Sequence, residues 1–141
     1  MEKAALKEHR RHSTADKPFS YYISNIPEYF PNAPMHWHKE FELNVILEGE
    51  GDFVTGDIHF TAYKGDIVLT PPDMLHAVYQ HDDKRCVYDT LDLDGSMLGS
   101  RDNDRAADAF ITPLISGAYS IETHITPEHC YYSELLTTAE N

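Results

Sequence analysis

The sequence predicts an all-β domain, a sandwich or barrel of short strands. Three observations predict it. From Phe41 onward, runs of β-forming residues are broken by turn residues every eight to twelve positions, the spacing of strands in a sandwich or barrel. Apolar residues make up 41% and aromatic residues 11%, which argues for a packed globule and against a disordered chain. A length of 141 residues suffices for one such core and is too short to expect two.

Taken in order, residues 1–18 are polar, with Lys3, Lys7, Arg10 and Arg11 early, and read as an arm. Phe19-Ser20-Tyr21-Tyr22-Ile23 is rich in β formers and opens a barrel spanning 19–125. Pro27, Pro31 and Pro34 keep the following stretch extended or turned, since each lacks an amide donor and restricts its predecessor. Phe41 to Leu47 is a strand, and Glu48-Gly49-Glu50-Gly51 reads as its turn. Phe53 to Thr55, Ile58 to Tyr63 and Ile67 to Thr70 follow, separated by Gly56-Asp57 and Lys64-Gly65-Asp66. Pro71-Pro72-Asp73 interrupts the ladder before His76 to Gln80, and Asp82-Asp83-Lys84 turns into a strand from Arg85 to Leu93.

Beyond Asp94 the pattern changes. Residues 95–108 interleave acids with Arg101 and Arg105 as a loop with a short helix, and Phe110 to Ile115 form an apolar patch for the barrel wall. Ile121 to Ile125 reads as a strand. Thr126-Pro127-Glu128 carries a helix-start signature: a capping Thr, Pro at the first helical position and an acid in the first turn. Tyr131, Leu135 and Leu136 give that helix, 126–141, an apolar stripe. It reaches Asn141 with no stop signal, as expected of a chain cut before the helix ends.

Composition also excludes functions. Eleven Lys and Arg against 24 Asp and Glu give a formal charge of −13, a surface that repels phosphate backbones and makes the chain alone a poor nucleic-acid binder. Cys86 and Cys130 show no metal spacing, so reduced thiols in a cytoplasmic protein are expected. No stretch has the length and apolarity of a membrane span, and no membrane partner is expected. Phosphate-loop, dinucleotide and nucleophile-elbow signatures are missing too.

The chemistry-bearing residues lie between His36 and His76. His36, His38, Glu42 and Asn44 share one parity, so strand geometry points them the same way. Two imidazoles and a carboxylate on one face, with His76 arriving later, suit a first-row metal with mixed nitrogen and oxygen ligands. The alternative is a polar barrel mouth in which these groups hydrogen-bond one another and water. Asn44 and Gln80 share the parity of their nearest ligands, and Tyr22 and Tyr88 add rings to a pocket fitted to a small polar or polyhydroxylated molecule. Trp37 has the opposite parity and is expected to pack outside. His9, His12, His59, His81, His124 and His129 show no ligand spacing and read as surface or cap residues.

His36-x-His38-x3-Glu42-x6-Gly49 resembles the first cupin motif, and Gly65-x5-Pro71-x4-His76 resembles the second. Phe30, Asp73 and Gln80 stand where those motifs carry Gly, Gly and Asn. Together with Glu48-Gly49-Glu50-Gly51, Pro71-Pro72 and Pro113-Leu114-Ile115-Ser116-Gly117, the wording resembles the N-terminal effector-sensing domain of AraC-type transcription regulators over about residues 10 to 138. The resemblance implies a double-stranded β-helix, or jelly-roll barrel, that senses a small-molecule effector such as a carbohydrate and is not an enzyme. It implies a metal site of His36, His38, Glu42 and His76 for Zn, Ni or Fe. It also implies a homodimer through the helix face of Tyr131, Leu135 and Leu136, an arm over the ligand mouth, and DNA contact only through a helix-turn-helix part beyond Asn141. The competing expectation is a stand-alone metal-dependent cupin enzyme, a dioxygenase or sugar isomerase, since one barrel hosts many functions.

Overall fold

The computed structural model describes residues 3–8, 19–93 and 123–128. Among the described residues there are eight strands, all paired antiparallel: β1 (Phe19–Ile26), β2 (Asn32–His36), β3 (Phe41–Thr55), β4 (Ile58–Tyr63), β5 (Ile67–Thr70), β6 (His76–Gln80), β7 (Cys86–Leu93) and β8 (His124–Ile125). A turn of 3-10 helix, Lys3–Leu6, precedes them. The loop predicted over 95–108, the patch over 110–115 and the body of the helix predicted from 126 lie outside the described residues.

β3 organises the sheet. Its first half lies between β7 and β5, extending the order β1-β7-β3-β5-β8. Its second half pairs with β4 and β6, and β6 in turn pairs with β2. The stretch Glu48-Gly49-Glu50-Gly51 is therefore not a hairpin turn. The strand runs on to Thr55, with a register shift between Ile46 and Glu48 and a left-handed Gly49 at φ +74°. The turn-forming composition is spent on a bulge that bends the strand from one set of partners to the other.

Alternation along β3 explains what lies inside. Phe41, Leu43 and Val45 share a face with their neighbours Leu93, Leu69 and Ile67, all buried. The opposite, inward face carries Glu42, Asn44 and Ile46, opposed on β7 by Asp92, Thr90 and Tyr88. Ile46 and Tyr88 belong to the core with Ile26, Phe53, Ala62, Val68, Val78 and Cys86. Each fully buried Ile or Val contributes on the order of 1.5–3 kcal/mol by leaving water. The inward face is thus apolar toward Ile46 and polar toward Glu42. The functional residues collect at the polar end.

One turn accounts for a departure from the cupin wording. Asp73, standing where the motif carries Gly, takes the same left-handed conformation at φ +65°. Asp is among the few side chains that tolerate it, and its amide donates to the His38 carbonyl (2.9 Å). Pro34 sits in β2, whose ladder with β6 shifts between Ala33 and His36, where a missing donor is tolerated.

Candidate metal centre and ligand cavity

His36 ends β2 and lies directly opposite His76, the first residue of β6, while Thr55 of β3 flanks His76 on its other side. His38 follows β2, and Glu42 rises from β3. The His36 and His76 rings are 4.2 Å apart centre to centre, His38 and His76 4.9 Å, and His36 and His38 5.9 Å. Each Nδ1 faces a main-chain carbonyl two residues away: Pro34 at 2.7 Å for His36, Glu40 at 3.2 Å for His38, Met74 at 2.9 Å for His76. Donation of Nδ1–H to a carbonyl fixes the neutral tautomer and leaves each Nε2 lone pair for the centre, the usual support behind metal-binding histidines.

The Nε2 atoms meet carboxylates. His38 Nε2 is 3.1 Å and His76 Nε2 3.5 Å from Glu42 Oε1. His38 Nε2 is also 3.8 Å from Asp92 Oδ1. Burial opposes charging of Glu42, yet the charge of His76 and the hydrogen bond from His38 hold its carboxyl well below the usual range. Burial likewise opposes protonation of His38 and His76, but Glu42 overrides it and raises both. His36 is lowered by burial, with His76 adding to the effect. Burial raises the Tyr22 and Tyr88 hydroxyls, so both stay neutral.

Whether a cation fits is answered by the donors. His76 Nε2 is buried with no hydrogen bond of ordinary geometry and only the Glu42 carboxylate 3.5 Å away, so its lone pair is available to an ion. One donor atom each from His36, His38 and His76 lies within 4.8 Å of the others, and the same holds for His38, Glu42 and Asp92. Two donors each about 2.1 Å from a shared ion stand about 3–4 Å apart, and the Nε2–carboxylate separations of 3.1, 3.5 and 3.8 Å fall in that range. The residues fit a divalent transition metal.

Beside this cluster is a cavity of about 520 Å³. His36, Glu42 and His76 open into it, and Tyr22, Phe30, Val78, Tyr88 and Thr90 form walls. The described part of the arm docks on Trp37 and reaches the cavity at Glu8. The Glu8 amide donates to the Trp37 carbonyl (2.8 Å), and the Trp37 amide donates to Leu6 (3.1 Å). The Trp37 indole donates to the Lys3 carbonyl (2.6 Å), with the Lys3 and Lys7 ammonium groups 5.1 and 5.4 Å from its ring. Trp37 thus lies outside the cavity lining, and the arm carries Glu8 into the lining, 3.8 Å from His36.

The sequence-predicted residues divide accordingly. His36, His38, Glu42 and His76 come together, and Tyr22 and Tyr88 line the cavity. Asn44 is buried beneath, its amide donating to Thr90 Oγ1 (2.8 Å) and tying β3 to β7. Gln80 sits at the far end of β6, donating to the Lys84 carbonyl (3.2 Å) outside the lining. Of the remaining histidines, His59 is exposed, His81 pairs with Asp52 (2.8 Å), and His124 stacks on Phe60 and pairs with Asp66 (2.7 Å). His9, His12 and His129 lie outside the described residues. Sequence reasoning missed Asp92 and Glu8. Asp92 alternates in phase with Tyr88 and Thr90, a signal that it points inward; nothing in the sequence links Glu8 to the site.

Residues 20–101 match the AraC-like ligand binding domain family. The chain belongs to that family. A relative of this AraC-like domain is the HTH-type transcriptional regulator YdeC of Bacillus subtilis (strain 168), 27% identical over 89 residues that make up 62% of this chain. The match spans 31% of YdeC's length. Among solved structures, a cupin protein from Bacteroides fragilis superposes with a TM-score of 0.53 at 19% identity, over 64% of this chain and 75% of that one. DMSP lyase DddQ from Ruegeria pomeroyi DSS-3 is 25% identical with a TM-score of 0.48, over 54% of this chain and 38% of that one. The fold of the AraC-like domain is the cupin barrel. No helix among the described residues is long and apolar enough to cross a membrane.

Proposed function

We propose that this AraC-like domain is the effector-sensing and dimerising module of a transcription regulator, binding its ligand without transforming it. In this reading the cavity beside the histidines receives a small polar or polyhydroxylated effector such as a carbohydrate. His36, His38, Glu42 and His76 hold one divalent ion, Zn, Ni or Fe. The observation that carries the reading is the union of the two features: three of the four candidate ligands form part of the cavity wall. The relationship to YdeC supports the regulatory role.

A bound ion would offer coordination positions to effector oxygens. The chain's own groups do the rest. Tyr22, its hydroxyl held by Asp92 at 2.9 Å, and Thr90 offer polar contacts, while Phe30 and Tyr88 give apolar faces. An effector that contacts both Glu8 and the barrel wall binds the docked arm better than the released arm, which is the differential affinity a switch requires. DNA contact would belong to another part of the regulator, in keeping with the charge of −13.

The test is a thermal-shift screen of sugars, polyols and small polar acids, with and without added metal. The reading expects a saturable stabilisation by at least one such ligand, lost in Tyr22→Phe or His76→Ala. Catalytic consumption of the ligand, or stabilisation untouched by both substitutions, would contradict it.

A further inference from the structure

We infer that Asp92 is a fifth residue of the metal centre, supplying a second carboxylate oxygen from the buried side. The inference rests on the metal reading and goes beyond its four-residue set. In the β3–β7 ladder Asp92 is the direct cross-strand partner of Glu42, and both side chains point inward. Carboxylates directly opposed on one face repel each other, and burial strengthens the repulsion. The His38 ring, 3.1 Å from Glu42 and 3.8 Å from Asp92, lies between them, and a divalent cation there would turn the remaining cost into attraction.

The geometry places the cation. Donor atoms of His38, Glu42 and Asp92 lie within 4.8 Å of one another, and those of His36, His38 and His76 do the same. The two groups share His38, while Glu42 Oε1 reaches both His38 (3.1 Å) and His76 (3.5 Å). An ion shared by the two groups would be bounded by three nitrogens and two oxygens. Tyr22 donates to Asp92 Oδ2 (2.9 Å), which orients the carboxylate and leaves Oδ1 on the His38 side, 3.8 Å from Nε2.

Asp92 is fully buried and outside the cavity lining, whereas His36, Glu42 and His76 belong to it. Asp92 therefore closes the centre from behind, and an approaching effector meets it from the histidine side. Five protein donors suit a six-coordinate ion such as Mn(II), Fe(II), Co(II) or Ni(II), with one position left for the effector. Four-coordinate Zn would leave at least one donor unused.

The experiment titrates Co(II), and separately Zn(II), into the metal-free 141-residue chain as wild type, Asp92→Asn and Tyr22→Phe. Calorimetry follows affinity and the visible d–d bands follow coordination number. Wild type should show the weak bands of five- or six-coordinate Co(II). Asp92→Asn should lose at least tenfold in Co(II) affinity, keep most of its Zn(II) affinity and show the stronger bands of a lower coordination number. Tyr22→Phe should fall between them. Unchanged Co(II) affinity and spectrum in Asp92→Asn would overturn this inference alone. No Co(II) or Zn(II) uptake by wild type would overturn the metal reading with it. Should Asp92→Asn fail to fold, the wild-type spectrum decides: intense four-coordinate bands contradict a fifth ligand.

Discussion

Replacing Gly49 by Ala should destabilise the barrel by at least about 3 kcal/mol, and the structure says why. Gly49 sits at φ +74°, where a Cβ would lie 1.7 Å from the Arg85 carbonyl oxygen and 2.7 Å from its carbon. An ordinary carbon–oxygen contact is about 3.4 Å, and both opposing atoms are backbone, so no side-chain rotation relieves the clash. Left-handed geometry alone costs an alanine about 1–2 kcal/mol. Moving Arg85 away also breaks the hydrogen bond its carbonyl accepts from the Glu50 amide (3.0 Å), worth about 1 kcal/mol net. The remainder comes from the displaced β3–β7 pairing of Gly49 with Cys86. Urea unfolding followed by circular dichroism should show the midpoint fall by about 1–2 M at an unchanged slope. Gly56→Ala is the internal control. Its φ is +59°, but the added Cβ meets only the flexible Met74 side chain, its sulfur at 3.2 Å, so about 1–2 kcal/mol is expected. A Gly49→Ala protein within about 0.5 kcal/mol of wild type, or one hurt less than Gly56→Ala, would refute the reasoning.

The pH dependence of the metal-free chain has a definite sign. His38 and His76 are raised, so their pairing with Glu42 stabilises fully below the ordinary histidine value of 6.5 and is lost as pH climbs through their folded values. Glu42 is lowered, so its share is present above 4.5 and lost as pH falls through its folded value. With chelator the melting temperature should peak in mild acid and fall toward alkaline pH. Saturating metal should reverse that slope, because an ion binds the unprotonated rings; a chelated chain that grows more stable above neutrality would contradict the pairing. Cys86, its thiol pushed up to about 12 by burial and by Glu50, should resist alkylation at about pH 8 until urea unfolds the chain. Peptide mapping reads Cys86 separately from Cys130, and rapid native labelling of Cys86 would speak against the packing around it. At physiological salt the chain alone should show no measurable DNA affinity by anisotropy, given its charge of −13. Tight sequence-specific binding would overturn its place as a sensing module.

Strand parity alone points to much of this site. His36, His38 and Glu42 face inward even though β2 ends at His36 and a bend at Lys39-Glu40 precedes β3. Parity fixes a face but not a depth, which is why Gln80 misleads. It shares His76's parity, yet four residues along a strand is about 13 Å, enough to leave the cavity. The bulge at Gly49 reads as a turn because a left-handed glycine serves both purposes, and only the pairing partners distinguish them. Asp92 acquires its meaning from lying opposite Glu42, a neighbour 50 positions away that the sequence does not name. Glu8 depends on an arm docking across Trp37, which is likewise a long-range event.

The most direct test is the metal content of the purified chain after incubation with Zn, Ni or Fe(II) and gel filtration, measured for wild type and His38→Ala. The account expects one ion per wild-type chain and none in His38→Ala, with both proteins folded by circular dichroism. Equal stoichiometry in the two, or a wild type that retains no ion, would contradict the centre on which the account is built.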